Sequence, residues 1–254
     1  MPNYIPTIAM MSLMIVIISP KAIAQDNHKR QPSGWGIGLG MIANRSPIRE
    51  VGAEYHAIPF LMYRGERFFF MGPTLGYGLL KWQDFSLALQ ARYRFTEVDS
   101  GDSAFLHGMA DRDETVEGGL AVKYQTPYAE FGLTMMTDIL NRHQGQQVGL
   151  SLGKGFRSQQ WLLKPSLKVN WQSRKLTDYY YGVKENEATL IRPAYQADAT
   201  INFGVGLDIN YLFSKRAMFR VGLGAEHLGS NITNSPIVEY DWIPKIFIGY
   251  IYRF

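Results

Sequence analysis

The residues of this chain that could do chemistry are few, and their spacing argues against most of it. Asp99, Asp102, Asp111, Asp113, Glu114 and Glu117 crowd one stretch. Carboxylates at that density could hold a divalent cation through oxygen ligands or meet cation-bridged lipopolysaccharide. The stretch lacks the Asp-x-Asp-x-Asp-Gly order of a dedicated calcium loop, so a solvated acidic loop is the simpler reading. Glu226-His227-Leu228-Gly229-Ser230-Asn231 brings a base and a hydroxyl close in sequence. A serine nucleophile needs its base within hydrogen-bond reach and a third group to orient that base, whereas three residues along a strand put His227 and Ser230 on opposite faces. His28, His56, His107 and His143 are scattered without ligand spacing. The absence of cysteine excludes a thiol nucleophile, a disulfide framework and a cysteine metal site. The chain therefore reads as non-enzymatic, with no catalytic, metal or cofactor-binding residues expected. Tyr179-Tyr180-Tyr181 is an aromatic patch in a long connection, either a contact surface with polar tips or packing for whatever the connection covers.

The elements that must carry these residues are strands. In residues 85–95, Phe85, Leu87, Leu89, Ala91, Tyr93 and Phe95 share one face, and Ser86, Ala88, Gln90, Arg92 and Arg94 share the other. The same period of two runs through 161–171, with tryptophan at both ends, and through 201–213. Weaker copies occupy 35–43, 53–63, 68–80, 118–126, 129–140, 148–156 and 219–227. In 148–156, Lys154 falls among the apolar positions unless a bulge at Gly153 or Gly155 shifts the register. The last strand, 246–254, sets Ile246, Ile248, Tyr250, Tyr252 and Phe254 on one face. It resembles the closing strand of a bacterial outer-membrane barrel, the end read by the barrel-assembly machinery. The two-faced strands explain a mean hydropathy of only -0.14 in a chain with 13% aromatic residues and 25 glycines.

Such strands are predicted to close into an all-β, transmembrane, antiparallel up-and-down barrel. Eleven runs would leave an odd count, and splitting 68–80 at Met71-Gly72-Pro73 gives twelve strands, with ten the next choice. Short connections at 125–128, 157–160 and 214–217 alternate with long ones at 96–117, 173–199 and 229–242, which puts the long loops outside the cell. The inner face would carry Arg92, Arg94, Lys164, Lys168, Asp208, Arg220 and Glu226, pairing across and largely filling the lumen. Residues 1–24 read as a signal peptide, with an apolar run at 8–18 and Ala22-Ile23-Ala24 before the cut. Residues 25–33 read as a periplasmic leader, and 34–254 as the barrel. The whole chain carries +4, and removing Lys21 with the signal leaves 25 basic against 22 acidic residues, or +3. That charge is too mild for a nucleic-acid partner.

Several ordered pieces resemble the MipA/OmpV family of outer-membrane proteins. They are Leu75-Gly76-Tyr77-Gly78, Arg92-Tyr93-Arg94-Phe95, Thr115-Val116-Glu117-Gly118-Gly119, Tyr181-Gly182-Val183, Ala194-Tyr195, Ser235-Pro236-Ile237-Val238 and the terminal Tyr-Arg-Phe. Arg192-Pro193 stands where the family often has Leu-Pro, and Glu239-Tyr240-Asp241 where it often has a basic residue. The resemblance implies a Gram-negative outer-membrane location among lipid and lipopolysaccharide. It also implies a scaffold linking a lytic transglycosylase to a penicillin-binding protein in peptidoglycan synthesis, through the leader and turns such as 64–67. Alternatives are a narrow small-solute or osmotic-response channel, and an adhesin acting through the long loops. Asp111, Asp113, Glu114, Glu117 and Tyr179 to Tyr181 are the loop residues expected to meet a partner. Tyr250, Tyr252 and Phe254 form the expected insertion signal.

Overall fold

The computed structural model describes residues 34–95 and 98–254. The expected signal peptide and leader lie outside the described residues. Every regular segment of length is a strand, as period-two patterning demands: β1 (Gly34–Arg45), β2 (Ala53–Arg64), β3 (Phe68–Met71), β4 (Thr74–Trp82), β5 (Phe85–Arg94), β6 (Thr115–Gln125), β7 (Glu130–Asp138), β8 (Gln146–Gly153), β9 (Phe156–Ser158), β10 (Trp161–Gln172), β11 (Thr200–Leu212), β12 (Ala217–His227) and β13 (Trp242–Arg253). Neighbours pair antiparallel around the sheet, and β13 returns to β1 with Gly36 opposite Arg253 and Asn44 opposite Lys245. β8 and β9 both face β10 and make one wall strand, so the barrel closes with twelve.

The expected break in 68–80 is present. Gly72 takes φ +54° in the turn between β3 and β4, a left-handed conformation that costs glycine nothing. Of the two registers left open at Lys154, the one without a bulge is present. Gly153 faces Ser166 and Phe156 faces Leu163, so no residue is inserted. The ladder is thinned because Pro165 has no N–H to donate, although its carbonyl still accepts from Lys154 N at 3.2 Å. Lys154 therefore stays among the outward positions, with its ammonium 5.9 Å from the Tyr128 ring and 5.6 Å from Phe156. There it snorkels to the periplasmic interface. A register shift does occur on β4, between Gly78 and Leu80.

Burial is inverted relative to a water-soluble sheet. Ile37, Leu39, Met41, Leu150, Leu167, Val205, Ile246 and Ile248 are all exposed, while glycine, serine and charged residues face inward between them. Trp35 meets Tyr63, and Trp161 meets Tyr211, each at 4.8 Å between ring centres near the periplasmic end. Such rings anchor a barrel in the interface. Tyr250, Tyr252 and Phe254 lie on the outward row of β13 or just beyond it, and Phe254 N donates to Trp35 O at 2.9 Å.

The buried hydrophobic core lies largely in the outer loops rather than between sheets. Ile48, Val98, Leu106, Leu176, Ile232 and Ile237 are fully buried there, with helices α1 (Arg174–Tyr181) and α2 (Ser230–Thr233) among the loops. The loops thus form a packed cap over the outer mouth. Leu39, at 66% exposure on β1, separates a membrane barrel from a soluble one. Leu39→Arg should lower unfolding stability in lipid vesicles by about 2–4 kcal/mol. An unchanged urea midpoint would contradict the bilayer placement.

Candidate functional site

The outer half of the lumen is built around one carboxylate. Thr115 and Glu117 sit two apart on β6 and both point inward. Glu117 is 1% exposed and accepts from Arg92 Nε at 3.1 Å and Arg94 Nε at 2.7 Å. His143 Nε2 lies 3.6 Å away. Both guanidinium groups also reach Gln147 on β8. Thr115 donates to Asp138 at 2.6 Å, and Asp138 in turn receives the backbone N–H groups of Leu140, His143 and Gln144. One tripeptide thereby fixes β5, β6, the end of β7 and the loop that follows. Gly119 completes the motif, because a Cβ there would sit 1.8 Å from Met135 O on β7.

Elsewhere in the lumen, the charges neutralise one another. Lys164 Nζ is 2.7 Å from Glu130, Arg220 Nε is 3.2 Å from Asp208, and Lys245 Nζ is 3.6 Å from Glu226. Lys168 faces Ser151 and Gly204 with no ion pair among the described residues. Paired charges suit a confined lumen, since a lone buried charge is far costlier than a satisfied pair.

The cap is pinned by a second buried pair. Arg112 meets Glu187 at 2.9 Å with both side chains 3% exposed, and also donates to the carbonyls of Ala110 and Gly182. Burial would raise the Glu187 carboxyl, but the Arg112 hydrogen bonds and the N–H groups of Ala110 and Lys184 outweigh it and hold it down to about 2. Arg192 donates to the carbonyls of Phe105, His107 and Glu187. Val183 and Tyr195 exchange backbone hydrogen bonds at 2.8 and 2.9 Å, Ser235 Oγ donates to Tyr181 O at 2.6 Å, and Ile48 bridges Val238.

These contacts correct part of the loop reading. Glu117 is not a loop ligand; β6 begins at Thr115, three residues before the alternation is obvious, and its first inward carboxylate belongs to the lumen. Tyr180 and Tyr181 are buried at 6% and 8%, packed beneath the cap on α1 rather than offered to a partner. Tyr179 OH accepts from Asp113 N at 2.8 Å and is half-buried. Asp111, Asp113 and Glu114 stay at the outer surface, where Asp113 pairs with Arg142 at 3.0 Å. Among the described residues no cluster of acidic or histidine side chains could hold a metal. His227 lies against Trp242 at 5.0 Å. Thr115, Asp138, His143, Gln147, Arg112 and Glu187 were not read as a site. The signal for the first was the Thr-x-Glu spacing of two; nothing local marks a pair separated by 75 residues.

Glu117→Ala should lower stability by about 3–5 kcal/mol, since it strands two arginines inside the barrel; a denaturant midpoint unchanged from the parent would exclude the hub role. Because the Glu187 carboxyl is depressed, its stabilisation is present above about pH 4.5 and lost as pH falls toward 2. Amide exchange in residues 98–112 and 182–192 should accelerate over that window while strand exchange stays slow. Glu187→Gln should remove the pH dependence.

Comparison with known proteins supplies the family. The sequence profile described as MltA-interacting protein MipA matches residues 37–254. YiaT of Escherichia coli K12 is 28% identical over 226 residues, covering 87% of this chain and 92% of the relative. The MltA-interacting protein of Escherichia coli K12 is 25% identical over 252 residues, covering 96% and 98%. Outer membrane protein OmpV of Vibrio cholerae is 24% identical over 220 residues, covering 85% and 86%. Most of the pieces that carried the resemblance are joints of the lumen hub or the cap, while Leu75-Gly76-Tyr77-Gly78 lies on β4 and the terminal Tyr-Arg-Phe ends the closing strand, and this outer-membrane β-barrel belongs to the MipA family.

Proposed function

We propose that this barrel is a non-enzymatic scaffold whose periplasmic rim holds a murein hydrolase, with a peptidoglycan synthase, against the outer membrane. The observation that carries the reading is the charge of that rim. Arg67, Lys81, Lys154, Arg157, Lys215 and Arg216 are exposed at or beside the short periplasmic turns, with Arg64 and Arg253 half-buried behind them; among the described residues the acids there are Glu66, Asp84 and the half-buried Glu130, which Lys164 neutralises. A ring of one sign steers and orients an acidic partner even where turns are too short to wrap it. The name of the MltA-interacting protein supports a murein-enzyme partner for this chain. The capped mouth and the paired lumen charges favour a scaffold over a conducting pore. A surface role for the outer acidic residues rests on Asp111, Asp113 and Glu114 alone.

Cross-linking in intact cells followed by mass spectrometry should enrich a lytic transglycosylase or a penicillin-binding protein over an unrelated barrel. The triple variant Arg67→Glu, Arg157→Glu, Arg216→Glu should reduce that enrichment by about tenfold while still folding. Enrichment equal in parent and variant, or absent from both, would sink the rim-docking proposal. Steady ion conductance by the reconstituted parent protein would favour the channel instead.

A further inference from the structure

Two inward lysines of the lumen have no carboxylate of their own. The pairing registers set Ser86 (β5), Lys123 (β6), Gly132 (β7), Ser151 (β8), Lys168 (β10) and Gly204 (β11) side by side in one row of inward positions. Lys81 of β4 extends the row beyond Ser86. Lys123, Ser151 and Lys168 are exposed although they face inward, so this part of the lumen holds solvent. Neither Lys123 nor Lys168 makes an ion pair or a side-chain hydrogen bond among the described residues. Lys123 lies two residues before the periplasmic end of β6 at Gln125, so the row opens toward the periplasm.

A neighbouring lysine shows what is missing. Lys164 on β10 crosses Gly153 of β8, where a Cβ would sit 3.1 Å from its Cε, and reaches Glu130 of β7 at 2.7 Å. Four residues further up each strand, the same path from Lys168 crosses Gly149 and ends at Thr134, a hydroxyl in place of the carboxylate. In the other direction, Glu226 lies beyond Gly204 in the same row, and Lys245 already holds it at 3.6 Å. The remaining inward carboxylates are engaged as well. Glu54 accepts from Asn44, Glu117 from Arg92 and Arg94, and Asp138 from Thr115, while Asp208 holds Arg220. Lys123 lies near Glu130, which Lys164 neutralises. In this belt Lys123, Lys164, Lys168 and Arg220 stand against Glu130 and Asp208, an excess of two positive charges.

Hydroxyls lie between the free cations. Ser151 Oγ leans over Gly132, where a Cβ would sit 2.4 Å from it, and Ser166 Oγ leans over Gly206 at 3.0 Å from the equivalent point. Neither hydroxyl has a hydrogen-bond partner among the described residues. Gly132 and Gly149 leave the wall between the two lysines low. Three strand spacings of about 4.8 Å separate Lys123 from Lys168 along the wall, and the curvature of a closed barrel turns inward side chains toward one another.

We propose that this belt is a binding site, entered from the periplasm, for a small solute carrying a phosphate monoester. The excess of two charges matches the roughly -2 that such a group carries at neutral pH. Ammonium groups act as point charges with three donors each and lack the planar fork that selects carboxylates, so they suit a tetrahedral dianion. The low-dielectric wall focuses their field into the lumen. Lys123 and Lys168 approach the phosphate from two sides, and Ser151 donates from the wall between them. With the outer mouth capped, the solute enters and leaves on the periplasmic side. The site does not depend on the scaffold reading.

The test is residue-resolved lysine acetylation of the full barrel in neutral-detergent micelles at fixed ionic strength, read by mass spectrometry with and without glycerol 3-phosphate. Heat-modifiable gel migration checks folding. Glycerol 3-phosphate should protect Lys123 and Lys168 and leave Lys154 and Lys215 on the rim unchanged, and glycerol should protect none of them. Lys168→Met should raise the concentration needed to protect Lys123 by about tenfold, the worth of one charge-assisted hydrogen bond, whereas Lys154→Met should not. No protection of Lys168, equal protection of Lys154 and Lys215, or protection of Lys123 indifferent to Lys168→Met would each overturn the proposal.

Discussion

A bilayer core contains no water to receive a backbone N–H or C=O, and the architecture follows from that constraint. The strands can satisfy their groups only on one another, so the sheet runs until β13 meets β1 and the edge disappears. Closure then sorts the side chains. Positions such as Ile37, Leu39 and Met41 have only lipid to face, and the glycines between them face inward. Those glycines leave room for the few large inward rings: the Phe247 ring would lie 2.7 Å from a Cβ at either Gly40 or Gly249.

Closure also creates the electrostatic problem that the lumen solves. Arginine, lysine and carboxylate side chains brought into a narrow interior lose much of their hydration and must find one another. Glu117 serves Arg92 and Arg94 together, and Asp208 serves Arg220 from the adjacent strand. Because Thr115 and Glu117 share a face, the same short segment that neutralises the arginines also orders the loop after β7 through Asp138. The lumen hub and the cap are thus one continuous structure, with Arg94 lying 5.8 Å from the Tyr180 ring at the junction. The outer loops supply the hydrophobic core that the barrel itself, turned outward to lipid, does not have.

Strand existence, count and facing were legible because a period of two is a property of neighbouring residues, and the lipid face preserves it with little interference. The Met71-Gly72-Pro73 break was legible for the same local reason. Lys154 left the register of 148–156 open in the sequence, because a charge in an apolar row fits either an outward lysine or a bulge; near the interface a long side chain stays outward by reaching water past Phe156. Glu117 was misplaced because strand ends carry weaker alternation than strand centres. Tyr180 and Tyr181 looked available because a sequence does not show what a long connection folds over.

The sequence by itself determined an outer-membrane barrel of alternating strands, with its lipid-facing rows and its inward charges, since each depends on spacing within one strand. Tertiary structure alone decided which inward charges meet, that Arg112 finds Glu187 across the cap, and that the outer loops share one core. The physical reason is that alternation is set by the pleat of a single strand, whereas partners and caps are set by which distant segments barrel closure brings together.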